Sequence, residues 1–354
     1  MFKQLISVLK PYAPGLFPDP PTKPNYPQEV YQYHTQAWGS HQKGNYVMGY
    51  IPHRDTPATP QVVIYLHGFA FGNPYYYDAH MQHLAKQGYY VFFADYQKDK
   101  YPNDQTPQPP KFGNVEQLIA AVVDSFKTSG EDMIQNAWEA VHNAMRAVLG
   151  QTENVDIYLF GHSVGGLFVL SWPNFVKKTP NIKAIMAADP ISATAELPEW
   201  IIQHLSSDVP FLKCPVDIKT TGAGLRNIPV ALLIGNSDLF VKPTTWQNRW
   251  SYLATATKQM YISQSDYYYN IYRCDAKRAL IAYHNQSVTN KLLDLPKDVQ
   301  LIIGGAGVEN NMRWRFVWDA FDAVLQGTSV KNLTFDMSTW SNGRKVTGVK
   351  PWSN

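Results

Sequence analysis

Cysteine is nearly missing from this chain. Cys214 and Cys274 are the only two among 354 residues, too few for a disulfide framework and lacking the paired spacing of a metal site. A single bridge between them stays open. No uninterrupted apolar run of about 18 residues occurs, which argues against a membrane-spanning helix. The opening stretch, MFKQLISVLK, is apolar only briefly before Lys10 and Pro11 break it, and no small-residue cleavage site follows. The reading is a cytoplasmic protein without an export signal. Charge of one sign is scarce as well: the formal net charge is +3 and charged residues make up 17%. With no dense Lys/Arg cluster interleaved with aromatics, nucleic acid is set aside as a partner. A G-x-G-x-x-G loop is missing where a first βα turn would carry it, which disfavours dinucleotide binding.

What is present describes a globular enzyme-sized chain. Hydrophobic residues reach 45%, far from the composition of disorder, and the length suits one large core. Aromatics are plentiful at 14%, with tyrosine runs at Tyr75–Tyr77 and Tyr267–Tyr269. Three adjacent rings cannot all face one core from a regular element, so some are expected on loops, where an amphipathic ring suits a binding surface.

Seven prolines between Pro11 and Pro27 prevent helix and remove ladder donors, so residues 1–28 read as an extended lead-in. Val30 to Trp38 and Asn45 to Ile51 suggest an antiparallel pair. Gln61 to Leu66, Tyr89 to Ala94, Val155 to Phe160, Ile182 to Ala187, Val230 to Ile234 and Met260 to Ser263 are short apolar runs separated by helical stretches. This alternation predicts a mostly parallel central sheet flanked by helices, with ligand sites at the carboxyl ends of the strands. The main domain spans 29–328. Its poorly periodic stretch 190–228 is a candidate cap insertion, and 329–354 forms a C-terminal extension with a hairpin signal at Asn342-Gly343.

The strongest local signal is VDIYLFGHSVGGLFVLSW. Gly161-His162-Ser163-Val164-Gly165 matches G-x-S-x-G directly after a strand and before a helix, the turn that pushes a nucleophilic serine into a cleft. Acyl transfer also needs N–H donors for the oxygen that becomes negative. One comes from Val164, next to the nucleophile. Phe69 in His67-Gly68-Phe69, at the exit of the strand Gln61 to Leu66, is the candidate for the second; the competing reading makes His67-Gly68 an ordinary strand exit with a structural histidine.

Taken together, VIYLHGF, GHSVGG and PVALLIGNSDLFV resemble the α/β-hydrolase superfamily, over roughly residues 30 to 328. The resemblance implies a Ser, Asp/Glu, His triad in that chain order. Only His204 and His284 follow Ser163, and His204 lies in the cap-like stretch, so His284 is the implied base. Asp238 stands at the family's usual place for the acid, after the second strand beyond the nucleophile; Asp189, ending the strand after the nucleophile, is the alternative. About twenty residues separate Ser263 from His284, more than the family pattern has. The implied chemistry is hydrolysis of a carboxylic ester through an acyl-enzyme, with no metal and no organic cofactor. The partner is a small-molecule ester or acyl compound with an apolar group, lined by Phe71, Tyr75, Trp172 and Tyr267. An acyltransferase or thioesterase using the same triad, or a non-catalytic binding protein on this fold, remains as an alternative.

Overall fold

The computed structural model describes residues 18–106, 108, 113–197, 202, 203, 205, 207–238, 241–268, 272–274 and 310–352, with backbone alone at 115, 267, 268 and 272–274. Nine strands form one sheet in the order β1-β2-β4-β3-β5-β6-β7-β8-β11. They are β1 (Tyr33–Trp38), β2 (Tyr46–Pro52), β3 (Gln61–Leu66), β4 (Tyr90–Asp95), β5 (Asp156–His162), β6 (Ile182–Ala188), β7 (Val230–Gly235), β8 (Lys258–Ser263) and β11 (Lys350–Trp352). The six strands β3 to β8 run parallel, while β1, β2 and β11 join antiparallel at the two sides. A separate antiparallel pair, β9 (Asp266–Tyr268) and β10 (Tyr272–Cys274), follows β8.

The parallel strands are near-continuous apolar runs because helices cover both faces. Alternate residues of β3 show the division. Val62, Ile64 and Leu66 belong to one core, and Val63 and Tyr65 to the other, as a side-chain period of two requires. The second core is closed by α1 (Asp78–Lys86) and by the segment Arg313–Trp318 that leads into the last described helix, Asp319–Leu325. Over the first core lie α2 (Val115–Val122), α3 (Gly130–Leu149), α4 (Val164–Phe175) and α5 (Pro243–Arg249); Asp319–Leu325 is therefore α6. Helix α3 presents Met133, Ile134, Ala137, Val141, Ala144 and Met145 to that core, an i, i+3/i+4 stripe. Its ends are set by the Ser129 side chain, which accepts from Asp132 N–H, and by Gly150 in the left-handed region.

Most elements lie where the hydrophobic periodicity puts them, with two differences. The stretch 114–149, helical with interruptions by its pattern, is two helices joined by a tight turn at Val123–Lys127. Tyr75, Tyr76 and Tyr77 are all buried, although no regular strand or α-helix holds them; a short 3-10 turn at Pro74–Tyr76 carries two of the rings into the core from outside its elements. The proline-rich lead-in is extended from residue 18 onward, yet it is docked: Tyr26 Oη donates to Asp319 Oδ1 (3.0 Å) and Gln28 Nε2 to Asp322 Oδ2 (3.3 Å) on α6. The hairpin signal at Asn342-Gly343 corresponds to a turn with a Thr339–Lys345 bridge, after which β11 adds an edge to the sheet. Among the described residues, no helix is long and apolar enough to cross a membrane. Cys214 is an exposed free thiol.

Candidate active site

Strand β5 ends at His162 and α4 begins at Val164, leaving Ser163 alone in the turn with φ 55° and ψ −116°. A residue with a side chain occupies this region only when its surroundings force it there, at about 1–3 kcal/mol. The forcing groups are visible. Ser163 N–H donates to Ala188 O of β6 (3.0 Å), and Ser163 O accepts from Leu167 and Ile191 N–H (3.2 Å each). The flanking glycines are sterically required: a Cβ at Gly161 would lie 2.2 Å from Gly165 O, one at Gly165 2.4 Å from His67 O, and one at Gly166 2.7 Å from Pro190 Cβ. Ser163 starts α4 without using its side chain as a cap, unlike most serines at this position. The hydroxyl is not consumed by the helix. A strained serine between a parallel strand and a helix has the geometry of a nucleophile elbow.

The chain from His67 to Ala70 leaves β3 beside the serine turn. Its proximity is tight, since a Cβ on Gly68 would lie 3.2 Å from Ser163 Cβ. Backbone polar groups of the segment are taken up one after another. His67 O accepts from Gly165 N–H (3.0 Å) and Tyr96 Oη (2.6 Å). Gly68 N–H donates to Tyr77 Oη (2.9 Å), which is also hydrogen-bonded to His162 Nδ1 (2.9 Å). Gly68 O accepts from Phe71 N–H (3.1 Å), Ala70 N–H donates to Gln97 Oε1 (2.9 Å), and Ala70 O accepts from Tyr101 Oη (2.9 Å). Among the described residues, no hydrogen bond takes the N–H of Phe69 or of Val164. Ala70, at φ 60°, bends the segment back toward the core.

Behind this segment lies a buried cluster that the sequence did not announce. His67 Nε2 is 2.9 Å from Asp95 Oδ1, and His41 Nδ1 is 2.6 Å from Asp95 Oδ2. Gln97 N–H adds a third donor (3.0 Å). Burial alone would raise the Asp95 carboxyl, but the hydrogen bonds and charges of His41 and His67 outweigh it and hold the group well below the usual carboxylate range. Neighbouring Asp99 moves the other way, raised by burial and by the Asp95 charge. His41, Asp95 and Asp99 have metal-ligand spacing, yet both oxygens of Asp95 are already occupied by hydrogen bonds, so the cluster reads as a polar network. Only the carboxyl end of an apolar run, Phe-Phe-Ala-Asp-Tyr, hinted at Asp95.

The carboxylates named from the sequence lie along the same strand edge. Ala188 pairs with His162, and Leu233 with Ala188, so Asp189 is one strand from Ser163 and the loop after β7 is two strands away, roughly 10 Å. Asp238 is fully buried in that loop, and its Oδ1 accepts from Val241 N–H (2.7 Å). Asp189, at φ 41°, accepts from Gly235 N–H (2.9 Å), tying the ends of β6 and β7. His284 lies outside the described residues, as does the side chain of Tyr267. Phe71, Tyr75 and Trp172 are buried. Trp172 is a core residue some two and a half turns along α4, hydrogen-bonded to Thr179, not a cleft residue. Instead, a cavity of about 300 Å³ opens beside the site between Ile191, Ser192, Glu196, Val241, Thr244 and Arg249. Its walls touch both centres, through Ile191 N–H on Ser163 O and Val241 N–H on Asp238.

No family model matches the sequence, and no curated protein matches it. Solved structures with a similar fold include an esterase from Pyrococcus furiosus, 17% identical, with a TM-score of 0.42 over 70% of this chain and 88% of the other. A Klebsiella pneumoniae protein assigned as a dienelactone hydrolase is 17% identical, with a TM-score of 0.46 over 74% of this chain and 94% of that one. An acylaminoacyl peptidase from Pyrococcus horikoshii is 15% identical, with a TM-score of 0.43 over 66% of this chain and 37% of that one. Likenesses of this size name no substrate for this chain.

Proposed function

We propose that the chain is a serine hydrolase acting on a carboxylic ester or a related acyl bond. The observation that carries this reading is the strained turn at Ser163, facing a segment whose Phe69 N–H takes no partner among the described residues. Ser163 Oγ attacks the acyl carbon and its proton passes to His284, while the oxygen that becomes negative accepts hydrogen bonds from Phe69 and Val164 N–H. The carbon–oxygen bond to the alcohol breaks and His284 returns the proton to the leaving oxygen. Water then attacks the acyl-enzyme, giving its proton to His284, and the acid departs as Ser163 regains a proton. Asp238 fixes the tautomer of His284 and stabilises its cation.

The test is fluorophosphonate labelling read by intact mass, with turnover of a p-nitrophenyl ester series. One adduct is expected in the wild type and none in Ser163→Ala, with His284→Ala losing turnover and label together. Asp238→Asn should lower kcat on the order of 10³-fold or more, and Asp189→Asn far less; the reverse order would move the acid to Asp189. Excess alcohol or amine acceptor in the same assay separates hydrolysis from acyl transfer. A folded wild type with neither adduct nor turnover would replace the enzyme with a binding protein on this fold.

On substrate shape, the hydroxyl, carboxylate and guanidinium groups around the 300 Å³ cavity favour a small polar ester over the apolar group read from the aromatic runs. The ester series decides between them, since an optimum at long acyl chains would restore the apolar reading.

A further inference from the structure

Gly68 O and Phe69 N–H belong to one planar trans peptide, so they point in opposite directions and polarise together. What holds the carbonyl therefore aims and strengthens the N–H. The carbonyl is held by Phe71 N–H and, more closely, by His67 Nδ1 at 2.6 Å. A carbonyl oxygen only accepts, so Nδ1 carries a proton. The ring's other nitrogen faces the Asp95 carboxylate at 2.9 Å, and that carboxylate is fixed by His41 and Gln97 N–H from behind. Both ring nitrogens thus face acceptors, and the ring is stacked 4.2 Å from Tyr96 with no exposure to water. Gly72 marks how closely the segment is wrapped on the cluster, since a Cβ there would lie 2.5 Å from Asp95 Oδ1.

We infer that His67 and Asp95 are positioning residues that act through the Gly68–Phe69 peptide: the Asp95-held His67 ring polarises that peptide and aims the Phe69 N–H at the reacting oxygen. The inference rests on the serine-hydrolase reading above. It assigns the histidine of the His-Gly-Phe exit a part in transition-state stabilisation although it touches no substrate. The mechanism differs from a triad because no proton moves; the pair sets the strength and direction of one backbone donor before substrate arrives.

The experiment compares an oxygen ester with its thionoester in wild type, His67→Asn and Asp95→Asn. Sulfur is a poor acceptor for backbone N–H, so the thionoester draws little on the Phe69 donor. Both variants should lose about tenfold in kcat on the oxygen ester, with KM within about twofold and thionoester turnover nearly unchanged, so that the oxo/thiono ratio falls about tenfold. Equal losses on both esters would show a merely structural role and overturn the inference, as would an unchanged kcat in folded protein. Should neither variant fold, neutron diffraction of the wild type answers directly: a deuteron on His67 Nδ1 supports the relay and a bare Nδ1 overturns it. Fluorophosphonate labelling of the wild type keeps the two readings apart. No adduct at Ser163 removes the hydrolase, whereas an adduct with an unchanged oxo/thiono ratio removes the relay alone.

Discussion

A single methyl group at residue 165 measures how tightly the turn is built. Placed on Gly165, its carbon would sit 2.4 Å from His67 O and 2.5 Å from Leu66 O, both backbone atoms that cannot rotate away. Gly165→Ala should therefore cost about 2 kcal/mol or more and separate β3 from the start of α4. Gly150→Ala is the comparison. That glycine is also conformationally constrained at φ 67° but has nothing within 4 Å of its missing Cβ, so only the left-handed backbone penalty applies, about 1 kcal/mol. Urea unfolding of the two variants reads the difference, and equal costs would mean that the turn can yield. At this scale Ser163 was legible because its motif is contiguous, with the glycines that its turn requires beside it in sequence. His41 and Asp95 were not: 54 residues separate them, and a hydrogen bond between residues so far apart in sequence leaves no local pattern, although β2 and β4 are neighbours in the sheet. His67 could be noticed but not interpreted, since its role depends on which partner meets each ring nitrogen.

Between elements, the lead-in and two helices share a buried set of ionisable groups. His83 on α1 lies between Glu29 (Nδ1–Oε1, 2.7 Å) and Asp322 on α6 (Nε2–Oδ2, 2.9 Å). Burial opposes the His83 charge, but the two carboxylates outweigh it and the imidazole is raised from its usual value. Burial pushes Asp319 up to about 6, against the Tyr26 hydrogen bond and with Asp322 adding repulsion. An acid raised on folding binds its proton more tightly in the folded state, so its contribution is present below its unfolded value and is lost as pH climbs from about 4 to about 6. The His83 contribution has the same sign and fades as pH rises through its raised folded value. Glu29, lowered by the His83 hydrogen bond despite burial, acts oppositely and loses its share as pH falls. Asp319→Asn should thus match wild type near pH 4 and gain on the order of 1 kcal/mol at pH 7. Melting curves at pH 4, 5, 6 and 7 check this, and parallel curves for the two proteins would sink it. None of this was readable from the proline-rich composition, which gave an extended segment but not the helices it lies on.

Across the whole molecule, the parallel sheet was legible because strands buried on both faces are written as short apolar runs, such as Val230 to Ile234, alternating with helical stretches. The order of those strands was not, since β4 lies outside β3 through a crossover that periodicity does not encode. The edge at β8 was legible only as a C-terminal extension with a hairpin signal, not as a strand that joins the sheet. The pairing has a consequence for solubility. Lys350, Pro351 and Trp352 pair with Ile262, Tyr261 and Met260, so β8 does not offer its ladder groups to a neighbour. The strand that covers them carries a proline, which donates nothing to a further strand, and a lysine, whose charge resists stacking. Ending the chain after Val349 should uncover a sticky margin and produce concentration-dependent assemblies in ultracentrifugation, with Ser163 chemistry intact in the dispersed fraction. A sedimentation profile identical to that of the longer chain would show that β8 needs no cover. On this view three residues far from the nucleophile act as a polymerisation stop.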